Sequence, residues 1–152
     1  MIATDKRLRL NTCLLICTLA FIWGNSLLPG SISGAISDGV KWLLSQLFSA
    51  GPETEDGGLP LRKLAHFTEF ATLGILLSWR FGMQNKAKGL AWVCGTAAAC
   101  IDETIQVFVP DRGPSVWDVL LDSCGVATGM LLLYLGHTYY TKRKQHTWRT
   151  SK

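Results

Sequence analysis

Apolar residues gather in four runs separated by short polar stretches. They extend from about Leu10 to Leu28, Leu64 to Phe81, Leu90 to Val109 and Val116 to Leu135. Each is roughly 18–20 residues long, enough for a helix to cross a hydrocarbon core of about 30 Å. Lipid offers no water to unpaired backbone groups, so each run is predicted to be a helix. The pattern predicts one all-α domain over 1–152, a polytopic membrane protein with four transmembrane helices. Between the first two runs, Ile36, Val40, Leu43, Leu44 and Leu47 fall on one helical face, flanked by Trp42 and Phe48. That spacing predicts a short outer amphipathic helix, either lying on the leaflet or packed on the bundle as a lid. Glu53, Thr54, Glu55, Asp56, Gly57 and Gly58 then read as an acidic, solvated loop.

Charge gives the predicted helices a direction. With the N-terminus in the cytoplasm, eleven of the 15 Lys and Arg residues fall inside: Lys6, Arg7, Arg9, Arg80, Lys86, Lys88, Lys142, Arg143, Lys144, Arg149 and Lys152. Lys41, Arg62, Lys63 and Arg112 fall outside. This asymmetry follows the positive-inside rule, so both termini and a basic tail over 141–152 are expected in the cytoplasm. Lys6, Arg7 and Arg9 before an apolar run also fit a secretory signal. Asn25, Leu27, Leu28 and Pro29 replace the small-residue cleavage pattern, and an uncleaved first helix is the expectation.

Composition agrees with this class: 48% of residues are hydrophobic and mean hydropathy is positive. The basic clusters are short and lack interleaved aromatics, which argues against a nucleic-acid partner. Cys13, Cys17, Cys94, Cys100 and Cys124 lie in apolar runs without metal-finger or CxxC spacing. They read as small hydrophobes rather than as a disulfide framework.

The apolar runs are interrupted by ionisable residues, which are costly in a bilayer and rarely accidental there. The second run carries His66 and Glu69 in its outer turns, three residues apart and so on one face. The third carries Asp102, Glu103 and Gln106 in its outer half. The connecting loop holds Asp111 and Arg112, and the fourth run begins with Asp118 and Asp122. Threading alternate helices through a membrane brings these nine residues to one side.

Several bland readings compete. His66 and Glu69 fit a simple intrahelical hydrogen bond, Arg112 a structural salt bridge to the acids, and Asp118 a helix N-terminal charge. Gly125 and Gly129 have the small-xxx-small spacing of close helix packing. As chemistry, the set suits general acid/base work on a substrate bearing phosphate or carboxylate. Crowded carboxylates raise one another's pKa, leaving one protonated and one ionised. Glu103 reads as a base tuned by Asp102, His66 as an acid or proton relay held by Glu69, and Gln106 shares their face. Arg112 reads as an anion clamp, with Asp118 and Asp122 orienting the substrate.

A divalent cation is possible, with Glu69, Asp102, Glu103, Asp118 and Asp122 as ligand candidates. Zinc fits less well, with one outer His and no outer Cys. Haem is set aside because His66 lies at the opposite end from His137 and His146. No nucleotide motif is present, and Thr68, Thr104 and Ser115 lack the setting of a nucleophile.

The segments Lys63-Leu-Ala-His66-Phe-Thr-Glu69-Phe70, Asp102-Glu103-Thr-Ile-Gln106, Val109-Pro-Asp-Arg112 and Asp118-Val-Leu-Leu-Asp122, with Gly125 and Gly129, together resemble the VanZ-like family. These are small bacterial membrane proteins named for a teicoplanin-resistance accessory protein. The resemblance implies a helical bundle in the cytoplasmic membrane. It also implies a link to glycopeptide susceptibility, an antibiotic-resistance trait, or to cell-envelope metabolism. The family's polar positions fall on His66, Glu69, Asp102, Glu103, Gln106, Arg112, Asp118 and Asp122. Phe70 stands where the family often has Tyr, and Asp111 where Gly is common.

Three function classes follow. The first is an enzyme at the outer face, acting on a membrane lipid headgroup or a lipid-linked envelope precursor. The second is a protein that binds a lipid, a precursor or a drug without chemistry. The third is a carrier, disfavoured because the inner half of the bundle has no matching polar path.

Overall fold

The structure, a computed structural model, describes residues 2–48, 61–84, 86, 87 and 89–150, with side chains for all of these except 2–4, 41, 44–48 and 145–150. Five helices form: α1 (Ile2–Ser26), α2 (Gly30–Phe48), α3 (Leu61–Met83), α4 (Gly89–Gln106) and α5 (Val116–Thr150). No strand occurs among the described residues. The acidic segment Glu53 to Gly58, and the side chains of Leu44, Leu47 and Phe48, lie outside the described part.

Prolines explain the breaks. Pro29 has no N–H to continue α1, and its carbonyl instead accepts the Ser33 N–H at 3.0 Å to begin α2. The apolar stretch Val107 to Val109 was expected to prolong the third helix, but α4 ends at Gln106. Pro110 disfavours helix in the residue before it, and the chain closes two tight turns, Phe108 N to Ile105 O and Val109 N to Gln106 O. Ser115 opens α5, its carbonyl accepting the N–H groups of Asp118 and Val119. α5 runs past Leu135, and the basic segment expected as a separate tail is helical through Thr150. Lys142, Arg143, Lys144 and Gln145 are good helix formers, and no Gly or Pro follows Gly136 to stop them.

α3 and α4 pack together, with α1 and α5 flanking the pair. The closest approach is α3 on α5, and glycines make it. A Cβ at Gly125 would lie 2.6 Å from Phe67 O, and one at Gly129 would strike the Ala71 carbonyl. From the other side, a Cβ on Gly74 would strike the Val126 carbonyl. The Gly125/Gly129 spacing is therefore used within the chain. A small apolar core of Ile22, Phe70, Leu73, Ala98, Ala99 and Val126 fills the centre. Phe70, where the family often has Tyr, is fully buried in it. At the far end, Asn11 donates to Leu76 O at 3.1 Å, and Arg80 bonds Leu8 O and Thr12, tying α1 to α3.

Beside that core, many polar residues are buried, and large apolar residues are widespread on the exterior. Asn11, Ser26, His66, Asp102, Glu103, Gln106, Asp122 and Ser123 are buried, while Ile16, Phe21, Val93, Leu131 and Leu135 are more than half exposed. Cys13, Cys17, Cys100 and Cys124 also face outward. Water does not tolerate so continuous an apolar exterior, whereas lipid solvates it. By length and composition, α1 from Asp5 to Ser26 and α5 from Val116 to Lys144 are able to cross a membrane. Only 11% and 28% of their most apolar windows are buried, so neither is the core helix of a water-soluble fold. α3 and α4 fall short of the same measure. The former carries Arg62, Lys63, His66, Glu69 and Arg80, and the latter Asp102, Glu103 and Gln106. α2 keeps Ile32, Ile36, Trp42 and Leu43 exposed rather than pressed on the bundle.

One turn locks two connections together. Gly30 N–H donates to Pro110 O at 3.1 Å, and a Cβ on Gly30 would strike the Asp111 carbonyl. Asp111 has φ 58°, in the left-handed region, where Gly is at ease and Asp is tolerated.

Two expectations follow for protein purified in detergent and melted under circular dichroism. Gly129→Ala is expected to cost about 1–3 kcal/mol through overpacking, while Gly136→Ala, with open space around it, should cost nothing. Equal melting of the two would contradict the α3–α5 approach. Gly30→Ala should destabilise the fold while Asp111→Gly is neutral or better; the reverse order would contradict the turn geometry.

Candidate functional site

The end of the bundle that carries the α1–α2 turn, the start of α3 and the α4–α5 loop gathers the polar residues. Helical spacing places Arg62, His66 and Glu69 along one face of α3, and Asp102, Glu103 and Gln106 in the last turns of α4. The first turns of α5 bring Asp118 and Asp122. The loop supplies Asp111 and Arg112. A cavity of about 260 Å³ lies between them, lined by Arg62, His66, Glu103, Arg112 and Asp122 among others. Asp102 sits behind this wall with no exposed surface.

Asp102 anchors the network. Its Oδ2 accepts the Ser26 hydroxyl at 2.8 Å and the Gln106 amide N–H at 2.9 Å. The same amide reaches Ser26 Oγ at 3.4 Å, and Gln106 Oε1 accepts from Arg62 at 3.2 Å. Each partner fixes the next: Arg62 sets the orientation of the Gln106 amide, which turns its N–H groups on Asp102. Glu69 is held from α1, where Asn25 Nδ2 donates to its Oε1 at 3.2 Å.

Asn25, Ser26 and Arg62 did not appear among the sequence-derived site residues. Asn25 and Ser26 close an apolar run, where two adjacent polar groups were read only against signal cleavage. Arg62 was read only as a loop charge.

Other members turn out to hold the scaffold as well. Arg112 donates from Nε to Leu28 O at 3.1 Å in the α1–α2 turn and from Nη2 to Asn25 O at 3.1 Å, capping the end of α1. The donors of a two-pronged anion grip are thereby committed to backbone. Its Nη1 is buried without a partner. Burial and the Arg62 charge lower the Arg112 pKa, against Asp102, Glu103 and Glu69, which raise it. Glu103 Oε2 accepts the Ser115 N–H at 2.8 Å, holding the entry to α5. Asp118 lies in the first turn of α5 and pairs with Lys63 at 3.1 Å.

His66 is different. Its Nδ1 lies 3.9 Å from both Glu69 Oε2 and Asp102 Oδ2, beyond hydrogen-bond reach. The simple intrahelical bond between His66 and Glu69 is therefore not formed. Both ring nitrogens are buried and unpartnered, as are Asp102 Oδ1, Asp122 Oδ1 and Glu69 Oε2. His66, Asp102 and Asp122 each present one ligand atom, all within 4.8 Å of one another. The arrangement therefore offers a proton carrier, free carboxylate oxygens and cations at one cavity.

No curated protein and no solved structure matches the chain. The VanZ/LLP1 family model, by contrast, matches residues 11–137. That span contains α3, α4, the loop, every residue of the network and the outward-facing apolar surface. With most of its length so matched, the chain belongs to the VanZ/LLP1 family.

Proposed function

We propose that α1, α3, α4 and α5 all cross the cytoplasmic membrane, with both termini inside and the cavity at the outer face. There it receives the anionic headgroup of an amphiphilic envelope substrate, a lipid or a lipid-linked precursor, and performs acid/base chemistry on it. The observation that carries this reading is a polar cavity set in an apolar exterior. Phe108, Val116 and Trp117, next to the lining loop, are each more than three-quarters exposed. A volume of about 260 Å³ admits a headgroup but not its chains, which stay in lipid along those side chains.

Roles divide by what each residue already holds. Arg62 and Lys63 supply positive charge to an incoming anion. His66 is the proton carrier, since both its nitrogens are uncommitted. Asp122, buried beside it with a free Oδ1, is the carboxylate partner. Asp102 and Gln106 set the field and geometry behind His66. Glu69 faces the imidazole from α1's side, and Glu103 positions the loop. Asp118 tethers Lys63, and Arg112 builds the wall. α2 lies along the outer leaflet on its apolar face, and no described side chain of α2 lines the cavity.

Two measurements test this. Lipid and precursor profiles are compared by mass spectrometry in cells lacking the protein, expressing it, or expressing Asp122→Asn at equal membrane abundance. A species that changes only with the unaltered protein supports the chemistry and names the substrate; identical profiles sink it. Asp122 is preferred to Glu103 because Glu103 also holds Ser115. For orientation, Gly113→Cys is placed in a background with the five native cysteines replaced; it is exposed, and its Cβ meets nothing within 4 Å. Labelling by an impermeant thiol reagent in intact cells is expected. Labelling only after lysis would move the cavity to the cytoplasmic face.

A further inference from the structure

We infer that His66, Asp102 and Asp122 form a binding site for one divalent cation, of the kind that accepts a mixed imidazole and carboxylate set, such as Mn²⁺. The inference rests on the reading of this cavity as the functional site, recasts His66 and Asp122 there as ligands rather than proton carrier and partner, and is tested without turnover.

Buried polar atoms are nearly always satisfied, and each exception calls for a reason. Here the exceptions cluster. His66 is 7% exposed, Asp102 0% and Asp122 1%, yet both imidazole nitrogens, Asp102 Oδ1 and Asp122 Oδ1 have no partner. One residue comes from each of α3, α4 and α5, and the three ligand atoms lie within 4.8 Å of one another. Three ligands bound at about 2.1 Å sit roughly 3.0–3.6 Å apart, so side-chain shifts on the order of 1 Å close the set.

Charge points the same way. The acids around the site, Glu69, Asp102, Glu103, Asp111, Asp118 and Asp122, outnumber its three permanent cations, Arg62, Lys63 and Arg112, so formal charge favours a divalent ion there. Of the other carboxylates, Glu103 takes the Ser115 N–H, Asp118 pairs with Lys63, and Glu69 is held through Oε1 by Asn25 with its Oε2 unpartnered. Sequence reasoning had considered all three as ligands and had left His66 out.

The support around the three ligands is also that of a metal site. Asp102 is oriented through its other oxygen by Ser26 and Gln106, leaving Oδ1 for the ion. With Nε2 of His66 on the ion, Nδ1–H lies 3.9 Å from both Glu69 Oε2 and Asp102 Oδ2, carboxylate oxygens that would orient a ligating imidazole. His66 and Asp122 line the cavity, so the remaining coordination positions open towards it, where water or an anionic headgroup completes the shell. A nitrogen ligand beside two carboxylates favours Mn²⁺ over Mg²⁺ or Ca²⁺, which prefer all-oxygen sets.

The test uses the full chain purified in detergent, stripped with chelator and titrated with Mn²⁺ alone. Electron paramagnetic resonance reads the free ion, and electron spin echo modulation reads nitrogen bound to it. The expected result is one ion per chain with imidazole nitrogen modulation. Asp122→Asn should weaken binding at least ~10-fold, Glu69→Gln by ~10–100-fold, and Asp118→Asn hardly at all. No saturable binding to the unaltered protein, no nitrogen modulation, or undiminished binding to Asp122→Asn would each overturn the site. The unaltered protein's spectrum decides the matter even where a variant misfolds. A bound ion with unchanged lipid profiles would leave the site standing and remove only the proposed chemistry.

Discussion

The carboxylate of Asp102 has no exposed surface, and an uncompensated charge in such a place costs several kcal/mol. Much of this end of the protein is arranged around that demand. Ser26 reaches it from the last turn of α1, and Gln106 reaches it one turn along α4. Arg62 then steadies Gln106 from α3. Three helices are thus held in register by hydrogen bonds that converge on one acid. In lipid the apolar faces of helices gain little by leaving solvent, so polar contacts and close backbone packing carry more of the work of association.

The two ends of the bundle use these devices differently. Towards the chain's first residues, Asn11 and Arg80 reach from side chain to backbone and join α1 to α3. Along the middle, Gly74, Gly125 and Gly129 let α3 and α5 meet backbone to backbone. At the cavity, side chains meet side chains, and several polar atoms are left over. Most of the unpartnered buried polar atoms among the described residues gather there, although Asn11 at the far end also keeps one.

The positions of the helices were legible because apolar runs of this length have few alternatives, and the polar residues threaded to one end as expected. What sequence could not supply was the division of labour. Arg112 near a cluster of acids reads as a clamp, yet its geometry serves the carbonyls of Asn25 and Leu28, and backbone acceptors leave no trace in sequence. Ser26 and Asn25 were passed over because small polar residues at a helix end are commonplace; only folding shows which acid they meet. The end of α4 was misplaced because Val107, Phe108 and Val109 are apolar, and there Pro110 outweighed hydropathy. The basic tail looked like a separate segment because charge was taken as the boundary, whereas Lys and Arg continue a helix readily.

The wall of the cavity is unequal in strength around its rim. On one side Arg112 is fastened to Asn25 at the end of α1 and to Leu28 in the α1–α2 turn, and Gly30 is fastened to Pro110, so that turn and the α4–α5 loop are joined by three hydrogen bonds. On the other side the rim is closed by Lys63 and Asp118, whose ammonium is about half exposed. Such a pair contributes at most about 1 kcal/mol and parts easily. The rim is therefore braced by bonds to backbone on one side and by a readily parted ion pair on the other.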